Sequence, residues 1–170
     1  MAGQLIQVAT ETVSSPTATV DLIGTTTDDV YMVAMNNVAP VTDNVYLRIR
    51  FTESGTANST SNYDYAMKFL ETSVFLNLAG TNGNAVNITS HTNGTGTSET
   101  TNGIFYIYNA NNSSEYTFMT TESSNVDSSN ASYGSPGGLV FTVSSAVDGV
   151  SLFYSTGNIA SGTFTLYKVV

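Results

Sequence analysis

Apolar side chains in this chain recur at every second residue, in short segments cut by Gly, Asn, Ser and Thr turns. The last segment, Asp148 to Val170, shows it: DGVSLFYSTGNIASGTFTLYKVV. Val150, Leu152 and Tyr154 share one face of a first run; Phe164 and Leu166 share one face of a second. Asp148-Gly149 marks a turn before the first run, and Gly157-Asn158 marks another between the two. Read as a hairpin, the pair is marginal alone in water and needs a sheet to join.

The rest of the chain supplies one. Gln4–Val13 and Ala18–Ile23 read as strands, with Pro16 between them. GTTTDD is a polar turn after them, from Gly24 to Asp29. Val30–Met35 is a near-continuous apolar run, the mark of a strand buried on both faces; Asn36-Asn37 and Pro40 are expected to break it. Asn44–Glu53, NVYLRIRFTE, alternates most cleanly. Val45, Leu47, Ile49 and Phe51 face one way, and Tyr46, Arg48, Arg50 and Thr52 the other.

Tyr63–Leu70 and Val74–Leu78 read as two strands joined by a bend at Glu71-Thr72-Ser73, in preference to one helix. Gly80–Asn84 reads as a turn and Ala85–Ser90 as a short strand. Ile104–Tyr108 and Tyr116–Thr121 read as a hairpin around NANNSSE. Leu139–Val143 leads into the C-terminal pair. Ser54–Asn62, Thr92–Asn102 and Glu122–Gly138 read as loops. The last is long enough to suggest a functional or interface segment. About ten short strands at this spacing predict one antiparallel all-β sandwich or barrel over residues 1–170, with both termini in the sheet.

Composition narrows the function. Only 10% of residues are charged and the formal net charge is -9, with Lys and Arg totalling 4. Globular proteins carry about a quarter charged residues. Thr, Ser, Asn and Gly take their place, as in rigid extracellular or virion β-proteins. Four basic residues cannot make the patch that nucleic acid or anionic membranes select, so neither is expected as a partner. Without Cys there are no disulfides or thiolate metal sites. The opening MAGQLIQVATETV lacks the basic and apolar regions of a signal peptide, and no stretch approaches ~18 apolar residues, a membrane span. A route outside the cell other than secretion, such as lysis, is the expectation.

No residue pattern specifies a reaction, and no catalytic, cofactor-binding or metal site is assigned. His91, the single histidine, sits beside a Gly/Thr-rich loop without a spaced nucleophile, and one histidine cannot supply a His-based metal site. Asp28-Asp29 and Asp127 read as turn-forming, solvated acids; loop acids of this kind also occur at Ca²⁺ sites, but no EF-hand pattern is present. A glycosidase could use any two carboxylates, yet the Trp count of 0 disfavours sugar stacking. The N-x-[ST] triplets at Asn58, Asn93 and Asn130 follow from an Asn/Ser/Thr-rich composition. Tyr 10 and Phe 8 fall mostly on strands. They serve core and cross-strand packing, with the remainder as interface anchors. Arg48 and Arg50 admit two readings: a solvated face pairing with scattered acids, or a contact for an acidic partner surface, another copy of this chain included.

The string DGVSLFYSTGNIASGTFTLYKV resembles the closing motif of small β-rich virion proteins of tailed phages, especially those of marine bacteria. A DG-[IV] turn, an aromatic strand, SGNI-x-SG and a final LY strand recur there. MAGQLIQVATETVSS, DDVYMVAMNNVAPVTDNVYLRIRFTESGT and GTGTSETTNGIFYIYN look similar too, so the resemblance covers most of the chain. Thr156 stands where Ser is usual, and Lys168 where Gly is usual. The resemblance implies a jelly-roll-like sandwich with a structural, non-enzymatic place in the virion. That place is a capsid decoration (cement) protein, or alternatively a tail or head fibre module for receptor binding. The partners implied are further copies, as a dimer or trimer, and other virion proteins, the major capsid protein first. It brings no catalytic residue and no cofactor.

Overall fold

The computed structural model describes residues 3–170; Met1 and Ala2 of the opening string lie outside them. The strands are β1 (Leu5–Val13), β2 (Val20–Ile23), β3 (Tyr31–Pro40), β4 (Leu47–Glu53) and β5 (Thr56–Ala57). β6 (Tyr63–Glu71), β7 (Phe75–Gly83), β8 (Val86–Asn87), β9 (Thr101–Tyr108) and β10 (Tyr116–Val126) follow. β11 (Ser132–Gly134), β12 (Gly137–Ser144), β13 (Gly149–Tyr154) and β14 (Ile159–Val169) complete the chain.

All pairings are antiparallel. One sheet contains the run β1-β14-β3-β9, and the other is β2-β13-β4-β8, with β5 on the far end of β4. The chain passes from one sheet to the other at β1→β2, β2→β3, β3→β4, β5→β6, β7→β8, β8→β9, β12→β13 and β13→β14. This is the jelly roll, two sheets that together form the sandwich. The remaining strands are insertions. β6 and β7 enter between β4 and β8, and β10 to β12 between β9 and β13. They widen the first sheet past β9, through β10, then β11 and β12 end to end, then β6, with β7 at the edge. The expected ten strands become fourteen through these extensions and a few two- and three-residue pieces.

The core follows the alternation. Leu47, Ile49 and Phe51 of β4 meet Val33, Phe105 and Leu166 of the opposite sheet, all fully buried. Burying each such side chain contributes about 1.5–3 kcal/mol. The Val30–Met35 run is central, with Tyr31, Met32, Val33 and Met35 all buried. Both ends of the described chain are tied to the sheet, as β1 pairs β14 and Val170 N–H donates to Gln4 O at 2.9 Å.

Four expectations are corrected. Val150–Tyr154 and Gly162–Tyr167 do not form a hairpin: β13 lies between β2 and β4, whereas β14 lies between β1 and β3. The Gly157 turn carries the chain across the sandwich, and each run pairs with a strand on both sides there. The strand starting at Tyr31 does not stop at Asn36-Asn37. It bulges, with Asn37 at φ 53, and resumes at Val38 as far as Pro40. Gly80–Asn84 is not a free turn either, since β7 runs through Gly83 against β6. Finally, Thr52, on the outward face of β4, is buried instead of solvated, donating to Asp148 Oδ1 at 2.7 Å. The turn before β13 covers that end of β4.

Candidate interaction surface

The hairpin of β9 and β10 forms as expected, with Tyr108 opposite Phe118, Tyr106 opposite Thr120 and Ile104 opposite Glu122. Period 2 sends Phe105, Ile107 and Met119 into the core, where they are fully buried. Their neighbours point away from the sandwich. Ile104 and Phe118 are each 45% exposed, Tyr106 38% and Tyr108 36%. The same register row continues on both sides. Tyr106 lies beside Met32, and Met32 beside Tyr167; Thr120 lies beside Gly138, and Gly138 beside Ala66. No member of that row is charged.

The small residues leave a depression in the face. A groove of about 520 Å³ is lined by Phe118, Val140, Tyr65, Ala66, Ala79 and Gly138, among others. A Cβ on Gly138 would meet only the Met119 carbonyl, at 3.3 Å, and otherwise project into the groove. Large aromatics beside a shallow apolar groove, with few charges, are the composition of a protein-binding core.

The inner face of β10 explains why its second half looks like a loop in sequence. Ser123 Oγ donates to Ile88 O at 2.6 Å, and Asn125 Nδ2 to Thr92 O at 3.1 Å. These buried polar groups hold the segment after β8 against the sheet. Glu122–Gly138 is therefore not one long loop. β10 extends to Val126, β11 and β12 cover most of the remainder, and residues 127–131 form the turn between β10 and β11.

That turn is built on Asp127. It is 5% exposed, so the expectation of a solvated acid is corrected. Its carboxylate accepts from Ser129 N, Ser129 Oγ, Ala131 N and Tyr133 Oη at 2.7–3.2 Å. Burial pushes its pKa up, but the hydrogen bonds from Ser129, Ala131 and Tyr133 outweigh this and leave it below the usual carboxylate value. His91 stacks on the Tyr133 ring at 4.3 Å, and its Nδ1 lies 3.5 Å from Asp127 Oδ2 and 3.4 Å from Thr92 Oγ1. Phe69 closes the cluster edge-on. The histidine thus has an acidic neighbour that no spacing in sequence revealed. Burial, and then the Asp127 charge, push the Tyr133 hydroxyl up to about 12.

The other acids have separate partners. Asp29 pairs with Lys168 at 2.6 Å, which lowers its pKa, and Asp28 accepts from Asn112 Nδ2 at 2.9 Å. No group of three or more His, Asp or Glu residues placed to hold a metal occurs among the described residues. Arg48 and Arg50 do not pair with scattered acids. Arg48 Nε donates to Asn87 Oδ1, Arg50 Nε donates to Asn84 O, and the Arg50 guanidinium lies over Phe153, 4.6 Å from its ring centre. Of the acids near this sheet, Glu53 accepts from Asn58 and Asp148 from Thr52 and Gly55, while Asp21 lies across Ser151 from Arg50.

Fold and surface together define a class, a jelly-roll protein with a widened sheet whose outer face is aromatic and poor in charge. Comparisons with protein-family models, with curated proteins and with solved structures each return no match.

Proposed function

We propose that this chain is a non-enzymatic structural protein of a tailed-phage virion. Its role is capsid decoration, with attachment to the particle exterior through the outer face of the widened sheet. The observation that carries the reading is that face: Ile104, Tyr106 and Tyr108 stand exposed along β9, and Phe118, opposite Tyr108, lines an apolar groove. Exposed aromatics of this kind act as anchors when a partner excludes water from them. The similarity of the terminal and central motifs to phage virion proteins supplies the context, and the jelly roll is an architecture used in viral capsids. The partner would be the major capsid protein, and the protein would leave the host cytoplasm with the particle at lysis. Binding only the assembled shell, it would raise the shell's disruption threshold by mass action.

The test is electron microscopy of particles with and without the protein, together with shell melting. Density repeated over the capsid lattice and a lower disruption temperature in its absence are the expected results. Label found only at fibre tips would assign the chain to receptor binding instead, and unchanged shell stability would remove the clamp role.

A further inference from the structure

A sheet that does not close on itself ends in strands with one row of unpaired backbone groups each. The smaller sheet ends on β2, four residues including Asp21, and on β5 and β8, two residues each. One end of the larger sheet is β1, which carries Glu11 and a bulge between Gln7 and Ala9. Shortness, charge and bulging are the usual protections of an edge. β7, the other end, has none of them from Phe75 to Gly80. That stretch, FLNLAG, holds no charge and no proline and runs in unbroken register along β6. Phe75 is 74% exposed and Leu76 52%.

The hydrogen bonds of β6 fix what this edge offers. Glu71 N–H donates to the Val74 carbonyl at 2.9 Å, whereas Lys68 N–H donates to Pro136 on the opposite side of β6 at 2.8 Å. Odd-numbered residues of β6 therefore bond β7, through Val74, Leu76 and Leu78. Phe75, Asn77 and Ala79 turn their N–H and C=O groups outward. Among the described residues these groups meet no other segment.

The occupant must be an extended strand with outward groups of its own. Among the described residues, the only long, uncharged edge is β7 itself, and it is complementary to itself. Laid antiparallel on a second β7 with Asn77 facing Asn77, all three outward residues of each copy pair. Phe75 then lies opposite Ala79, a large ring against a small side chain, and Leu76 opposite Leu78. No charge stands on either strand, which matters between copies that each carry -9. We propose that β7 pairs in this way with β7 of a second copy, across a two-fold axis at Asn77, joining two larger sheets into one. The contact is isologous and closes at a dimer. It goes beyond capsid attachment, since it needs no second kind of protein. So short a pairing is small against the roughly 20–30 residues a side of a standard interface, and dissociation on the order of micromolar is expected.

Asn77 is exposed and bonds only the Lys68 side chain of β6, so it can be changed without touching the core. Sedimentation velocity of the full chain is expected to show a concentration-dependent dimer. Like charges directly opposite across strands repel, so N77E and N77K should each dissociate roughly fivefold more readily or beyond. An equimolar mixture of the two should pair again. N77P removes the axial N–H where an edge strand tolerates proline, and should be monomeric. F118E, on the aromatic face, should keep the dimer, which separates this contact from capsid attachment. A natural protein that stays monomeric up to hundreds of micromolar, an N77E or N77P chain that associates like the natural one, or a mixture no tighter than its parts overturns the proposal. Species that grow past the dimer overturn it too, since they would show β7 meeting a different edge.

Discussion

The Tyr63 hydroxyl accepts the Phe51 backbone N–H at 3.0 Å and donates to the Asn58 carbonyl at 2.8 Å. Tyr63 belongs to the inserted part of the long sheet and Phe51 to the facing sheet, so this side chain ties the insertion to the jelly roll. Its ring packs on Phe141 at 4.9 Å and on Phe51 at 6.2 Å between centres. Tyr63→Phe keeps the packing and removes both hydrogen bonds. An unpaired buried group costs about 1–3 kcal/mol. The variant is expected to lose stability in that range in urea titration; an unchanged midpoint would show the bonds to be dispensable.

Alkaline pH is expected to destabilise the fold. Burial raises the hydroxyl pKa of Tyr63 and Tyr154 above the ordinary 10.0, and that of Tyr133 to about 12. Below pH 10 these phenols are neutral in both folded and unfolded chains, and their contribution is fully present. Above it the unfolded chain ionises first, so stability falls progressively as the pH rises toward the folded values. Melting curves from neutral pH to pH 12, followed beside tyrosinate absorbance, check the sign. Buried tyrosines should ionise only as the protein unfolds.

Asp127→Asn replaces one carboxylate oxygen with a donor facing Tyr133 Oη and His91. A loss of about 1–3 kcal/mol is expected from the broken acceptor set. Tyr133 should also ionise at a lower pH, since the negative charge that adds to its burial is gone. Asp127 itself has a lowered pKa, so its contribution is present above the ordinary carboxylate value and is lost as the pH falls through the folded one. The natural protein should lose this part of its stability in acid, and the Asn variant should not.

Gly162 sits at φ 138 within the bulge of β14, and a Cβ there would lie 2.9 Å from the Val38 Cα. The obstacle is backbone, which cannot rotate aside. Gly162→Ala is expected to cost more than the roughly 1–3 kcal/mol of a strained backbone position. Thermal unfolding measures it. By contrast, Gly138→Ala should fold normally and narrow the groove beside Phe118.

Phe118→Glu and Tyr106→Glu change outward-facing positions, so stability should move by about 0.5 kcal/mol or less. Capsid attachment should weaken by at least tenfold, about 1.4 kcal/mol. Co-sedimentation with particles lacking the protein reads this directly. Attachment at full strength by both variants would move the binding surface elsewhere.

Much of this architecture could be read along the chain. The β9–β10 hairpin was legible because Ile104–Tyr108 and Tyr116–Thr121 are strongly periodic and the loop between them is short. The bend between β6 and β7 was legible for a similar reason, since polar Thr72 and Ser73 interrupt two apolar runs. Ser123 and Asn125 concealed the end of β10: they face inward, yet bond to backbone instead of packing on side chains. Asp127 looked like a loop acid because its donors gather around it only once the turn closes on Tyr133.

Sequence alone determined the class of structure, because an apolar face at period 2 must be covered, and a chain read as strands throughout has only a second sheet to cover it. It also determined the paucity of charge that makes a large dry contact possible. Tertiary structure decided which strands pair, sending Val150–Tyr154 and Gly162–Tyr167 to opposite sheets. It decided as well that Tyr106 and Phe118 stand outward, and that Arg48 and Arg50 find no acid. Alternation records that a residue faces one side or the other; only the assembled sheets determine which side is core and which neighbours lie within reach.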